Sequence, residues 1–396
     1  MSLRERLGIG DVIEATSYGE DNRKRLYELY GVIDNPYPAS SQTSGHPHMT
    51  TEADYNIEDR LKTFMSPLGD ATQALVVEGT QGTGKTNLLE YYQKELSDIF
   101  AAEAGHYVVR YYADPEPDFS SVVRRIIQEF GVKFLISIGE ALDSKGEESG
   151  NPLSKVQNPE LRVAFKQLAH SKGDEREEKA EFLLEHLTGL RIYKRHTEAL
   201  GVRFRLDTTE AKTMALRDLI VLSGELGVFK ALYLFLDELE KQGAQSQSVI
   251  VKYLSSIRAL IDALPKKMFL VLAMTPDARR RYSEMFPSLS SRLGNPISLL
   301  PVMDEEQAAK LHRFYLANAR ELAKSHPDSS HWRQGHSDPL TEEQAIRIYT
   351  RFKALSEQRG LRGGVLQREL LNAFHVSTEE FFYPLKELTG VFNRVQ

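Results

Sequence analysis

Residues 74–86 read ALVVEGTQGTGKT, and this stretch decides the fold. Its first five residues are a nearly unbroken apolar run closed by an acid, the pattern of a strand buried on both faces of a parallel sheet. Gly79, Thr80, Gln81, Gly82, Thr83, Gly84, Lys85 and Thr86 then complete GxxxxGK[ST]. The glycines let backbone N–H groups converge on phosphate oxygens. Asn87 opens the helix-period run NLLEYYQKEL, whose positive dipole end points at the same place. In this reading Lys85 bridges the β and γ phosphates, and the Thr86 hydroxyl holds Mg²⁺. A glycine turn before an ordinary helix is the rival; the strand before the loop and the helix after it favour the cradle.

Working outward, further apolar runs stand at HYVVRYY (106–112), ALYLFLDE (231–238), MFLVLAM (268–274) and PISLL (296–300). Helix-period segments separate them, as in 248–264, where Val249, Val251, Leu254, Ile257, Leu260 and Ile261 share a side. Alternating strands and helices predict a doubly wound α/β core. Residues 139–210 are charged and helix-prone, and are expected as a helical insertion. After Pro301 the signals are helical only: Asp304 as a cap, Thr341 with Gln344 as a capping box, and Ser377 with Glu380 as another. The expected division is a helical arm and loop (1–56), the core (57–300) and an all-helical lid (301–396).

A triphosphate site needs a carboxylate for its metal and, for hydrolysis, a second one to position water. Asp237 and Glu238 close the run LYLFLDE at the end of a strand, where the crevice of an open α/β sheet lies. Asp237 is expected in the Mg²⁺ shell and Glu238 beside the attacking water. Two acids opening a helix are the plainer alternative.

GxxxxGKT, an apolar strand ending in Asp-Glu, the strand FLVLAM followed by Thr275, and Leu289-Ser-Ser-Arg292-Leu together resemble the AAA+ ATPases, in particular the origin-initiator type. The segment ALRDLIVLSGELGVFKALYLFLDELE is also similar to the ATP-binding proteins of BREX-type phage-defence systems. The resemblance implies an α/β P-loop NTPase core of AAA+ type, with strand order 5-1-4-3-2, a helical insertion and a C-terminal all-helical lid. It implies ATP and Mg²⁺ as ligands. Hydrolysis would be coupled to assembly or conformational change, or ATP occupancy with little turnover would control a partner protein. Thr275 would be a sensor of the γ-phosphate, Arg362 a second sensor from the lid, and Arg292 a finger reaching a neighbouring subunit's nucleotide. That last role implies a homo-oligomer joined head to tail. Arg279, Arg280 and Arg281 are rival fingers. The choice of adenine rests on the resemblance, and the guanine motif NKxD is absent.

Composition sets the outer limits. The 396 residues carry a net charge of −6, so nucleic-acid binding would need a local patch. Residues 188–205 offer one: Arg191, Lys194, Arg195, Arg203 and Arg205 stand with Tyr193 and Phe204 among them, read either as a nucleic-acid surface or as a solvated face. With no cysteine, thiolate metal sites, disulfides and cysteine nucleophiles are excluded. No apolar run approaches 18 residues and the charged start does not resemble a secretory leader, which leads to the expectation of a cytoplasmic protein without membrane contact. His46, His48, His326, His331 and His336 match no zinc spacing and read as polar loop, with Trp332 a docking candidate. No GxSxG hydrolase elbow occurs.

Overall fold

The apolar runs become five parallel strands: β1 (Gln73–Glu78), β2 (His106–Tyr112), β3 (Ala231–Asp237), β4 (Met268–Met274) and β5 (Ile297–Ser298). The computed structural model describes residues 30–39, 42, 45–66, 69, 71–145, 151–189, 191–325, 338–358 and 363–392, the last thirteen by backbone alone. The strands lie in the order β2-β3-β4-β1-β5, which from the other edge is the expected 5-1-4-3-2. The chain thus has the α/β P-loop fold anticipated above, with a helical insertion and a helical C-terminal region.

The alternation of side chains builds two cores. From β3, Leu232, Leu234 and Leu236 join Leu270 and Leu272 of β4 on one face. Tyr233, Phe235, Phe269 and Val271 join Leu75 and Val77 of β1 on the other. All seven residues of β3 and all seven of β4 are buried, which explains why both read as unbroken apolar runs. Each large side chain so buried contributes roughly 1.5–3 kcal/mol. The edge strand β5 is shorter than the run PISLL suggests, because Pro296 has no N–H to donate and the register with β1 covers only Val77↔Ile297 and Glu78↔Ser298.

Two compact units emerge, one of residues 50–80 and 88–299, the other of 1–49, 81–87 and 300–396. In the first, α1 (Glu52–Met65) and α2 (Lys85–Ile99) supply Ile57, Phe64, Leu88 and Tyr92 to one face of the sheet. The connection from β2 to β3 holds α3 (Ser120–Lys145), α4 (Pro159–His170), α5 (Asp174–Leu187), α6 (Lys194–Leu200) and α7 (Thr209–Glu225). Phe165 and Leu183 belong to the same apolar cluster as Leu234, so the insertion extends the core of the opposite face. Gly131, at φ 69, kinks α3. After β3 come a 3-10 turn (Leu239–Ala244) and α8 (Gln247–Ala263); after β4 come α9 (Pro276–Met285) and α10 (Pro287–Leu293).

The second unit is built on α11 (Glu305–Lys324), α12 (Glu342–Gln358) and α13 (Gln367–Phe392). Its core gathers Leu311, Tyr315, Tyr349, Leu370 and Phe374, and takes in Tyr37 from the N-terminal loop. The Tyr37 hydroxyl lies 2.5 Å from His312 Nδ1. Asp304 caps α11 through the Gln307 N–H, and Thr341 and Gln344 form the reciprocal box before α12. Ser377 does not start a helix: α13 runs through it, because no Gly or Pro interrupts 367–377 and Leu370, Leu371 and Phe374 keep the helical period. The helical reading of residues 1–29 lies outside the described residues, and among those described no helix is long and apolar enough to cross a membrane.

Candidate nucleotide-binding site

The glycine loop has the backbone that its sequence demands. Gly82 and Gly84 stand at φ 91 and φ 97, where L side chains are strained. Space is short as well: a Cβ on Gly84 would lie 2.9 Å from Gln367 Oε1, and one on Gly82 3.4 Å from Arg368 Cβ. Lys85 is the first residue of α2, so the positive end of that helix dipole faces the loop. Thr83 and Lys85 are both buried.

Two long-range partners of this loop carry no local sequence signal. The Arg368 N–H, at the start of α13, donates to the Gly82 carbonyl at 3.1 Å. From the N-terminal loop, His48 Nδ1–H donates to Asn87 Oδ1 at 2.8 Å, and the Asn87 amide donates to the His46 carbonyl at 3.1 Å. His48 is therefore a hydrogen-bond donor beside the phosphate loop. Gln367 and Arg368 approach the loop; Arg362 lies outside the described residues, as do His326, His331, His336 and Trp332.

At the carboxyl edge of the sheet, the core unit presents the acids. Asp237 is fully buried at the end of β3, two strands from β1, and its Oδ1 accepts the Glu238 N–H at 2.9 Å. Its own carbonyl accepts the Ala113 N–H at 2.9 Å, which ties the strand end to the turn after β2. Glu238 is left-handed, at φ 58 and ψ 35. Its carboxylate lies 2.5 Å from Lys241 Nζ, and this hydrogen bond raises the lysine's proton affinity above the ordinary value. A non-glycine residue in that region costs on the order of 1 kcal/mol, a strain that concentrates at functional positions.

The neighbouring strand ends are held by side chains too. The Gly79 N–H donates to the Met274 carbonyl at 3.2 Å, which joins the start of the loop to β4. Glu78 accepts from Ser298 at 3.0 Å and pairs with Arg279 at 3.4 Å. Thr275 caps α9, its hydroxyl accepting the Ala278 N–H at 3.3 Å. Arg280 pairs with Asp277, and Arg281 donates to the Gly243 carbonyl at 3.2 Å. Arg292, half-exposed in the last turn of α10, pairs with Asp262 at 3.0 Å.

The basic stripe is largely compensated. Arg195 pairs with Glu185 at 3.1 Å, Lys194 with Glu198 at 3.3 Å and Arg205 with Asp207 at 3.1 Å. Phe204 remains three-quarters exposed. Among the described residues no group of three or more His, Asp or Glu side chains could hold a metal by itself. The hydroxyl of Thr86 and the carboxylate of Asp237 are, taken singly, hard oxygen donors of the kind that Mg²⁺ prefers, since it binds through one or two protein oxygens with the rest from phosphate and water.

No protein-family model matches the chain, and no curated protein does. Among solved structures, the ORC2 protein of Aeropyrum pernix in ADPNP–ADP complexes is similar at 14% identity, over 86% of this chain and 71% of that one, with a TM-score of 0.38. The ADP form of the same protein gives 13% identity, 85% and 71% coverage and a TM-score of 0.36.

Proposed function

We propose that the protein binds and hydrolyses ATP with Mg²⁺, as an AAA+ type ATPase whose cycle is coupled to assembly or conformational change. The observation that carries this reading is the glycine cradle: Gly82 and Gly84 in a conformation reserved for glycine, directly before Lys85 at a helix N-terminus. Backbone N–H groups of 79–86 would hold the phosphate oxygens, and the Lys85 ammonium would neutralise charge on the β and γ groups. Thr86 and Asp237 would hold Mg²⁺, which supplies further charge neutralisation on the phosphates. Glu238 would accept a proton from the attacking water. Thr275 and Arg362 are proposed to sense the γ-phosphate, and Arg292 to reach a neighbour's nucleotide across a head-to-tail interface.

One observation favours a slower variant of the same reading. With its carboxylate on Lys241, Glu238 is engaged before any water is presented to it, which suits a switch that holds ATP, turns over slowly and controls a partner protein. Steady-state hydrolysis by Glu238→Gln tests the shared core of both readings. The variant is expected to retain nucleotide and lose turnover by about a hundredfold or more. Hydrolysis at the wild-type rate would remove Glu238 from the reaction.

A further inference from the structure

Glu238 keeps a left-handed backbone without glycine's freedom, and a residue in that conformation relaxes unless its surroundings over-determine it. On one side the chain is fixed: Asp237 is the buried end of β3, and its carbonyl accepts the Ala113 N–H. On the other side stands only the 3-10 turn Leu239–Ala244, a form whose internal hydrogen bonds are poorly aligned. Leu239 is fully buried. Yet a pocket whose lining includes Leu239, Leu254, Met274, Tyr282, Leu289 and Leu293 opens against it, so packing alone leaves the turn room to shift.

Two buried side chains supply directional bonds instead. Gln242 reaches back to the loop after β2: its amide donates to the Asp114 carbonyl, and its Oε1 accepts the Glu116 N–H at 3.4 Å. Tyr282, 5% exposed on α9, donates its hydroxyl to the Leu239 carbonyl at 2.8 Å. That carbonyl belongs to the residue directly after Glu238, so the bond holds the peptide next to the strained one. Burial pushes the Tyr282 phenol up to about 12, and it remains a donor at neutral pH. The exposed Arg281 adds its bond to the Gly243 carbonyl. Because α9 is capped by Thr275, one helix joins the end of β4 to the turn that follows Glu238.

We propose that Tyr282 is a positioning residue for hydrolysis. Its hydroxyl holds the Leu239 carbonyl, and through it the left-handed backbone from which Glu238 presents its carboxylate. The proposal rests on the reading of Glu238 as the group that takes the water's proton. A hydroxyl of purely structural value would leave turnover alone.

Tyr282→Phe removes one oxygen and keeps the ring that lines the pocket, and two measurements on the full-length protein decide. Hydrogen exchange of the nucleotide-free protein, read by peptide mass spectrometry, should quicken about tenfold over 238–244, with the peptides of β3 and β4 exchanging as in the native protein. Steady-state hydrolysis should show kcat about fivefold lower with KM for ATP unchanged. Placed in Glu238→Gln, the same substitution should lower kcat no further, because the group that it positions is already gone. Unchanged exchange over 238–244, a native kcat, or the same loss in the Glu238→Gln background each overturns the proposal. Native turnover by Glu238→Gln alone is a separate result: it removes the reading beneath, and the proposal with it.

Discussion

Glu238 meets Lys241 at 2.5 Å, from a left-handed backbone one residue past the buried Asp237. The pair occupies the carboxylate with an ammonium, so it holds back the role that the glutamate is proposed to play. Lys241→Met should free the carboxylate and raise kcat about threefold, or roughly 0.6 kcal/mol of barrier, a size suited to a half-exposed pair. KM for ATP should stay unchanged. A steady-state assay of the variant checks this, and a fall in kcat would mean that Lys241 positions Glu238 productively.

His186 gives the insertion a pH dependence. It is 1% exposed, neither ring nitrogen has a hydrogen-bond partner among the described residues, and burial lowers its pKa to about 4, with Glu160 opposing and His196 adding. Between pH 4 and 6.5 the unfolded chain binds more protons than the folded one. The contribution to stability is therefore complete above pH 6.5 and is lost as pH falls toward 4, by about 3 kcal/mol at the limit. Urea midpoints at pH 5 and pH 7 should converge in His186→Leu relative to the native protein. The same difference in both would place the acid sensitivity elsewhere.

Arg292 is half-exposed and held by Asp262, a surface pair weak enough to exchange for a phosphate. Arg292→Ala should keep ATP binding and lose hydrolysis on the order of a thousandfold. Mixed with Lys85→Ala protein, it should recover part of the activity, since one chain supplies the pocket and the other the arginine. Absence of recovery at every mixing ratio would transfer the role to Arg279, Arg280 or Arg281.

What the sequence revealed, and what it hid, follows from the range of the interactions. β3 and β4 were legible because strands buried on both faces carry apolar residues at every position, as Leu232 to Leu236 and Phe269 to Ala273 do. The glycine loop was legible because its chemistry lies in consecutive residues. The contacts of His48 with Asn87 and of Arg368 with Gly82 join positions far apart in the chain, so no local pattern announces them. The left-handed Glu238 was equally silent, since glutamate carries no turn signal. At Ser377 the capping-box spacing is compatible with the middle of a helix as well as with its start, and the helix runs through it.

The central claim is that the glycine loop binds ATP through Lys85. Calorimetric titration of ATP with Mg²⁺ into the native protein and into Lys85→Ala tests it most directly. The native protein should bind one nucleotide per chain. The variant should bind at least a hundredfold more weakly, a loss of about 2.7 kcal/mol from removing the loop's cation. Equal affinity in the two proteins would contradict the assignment of this loop as the nucleotide site.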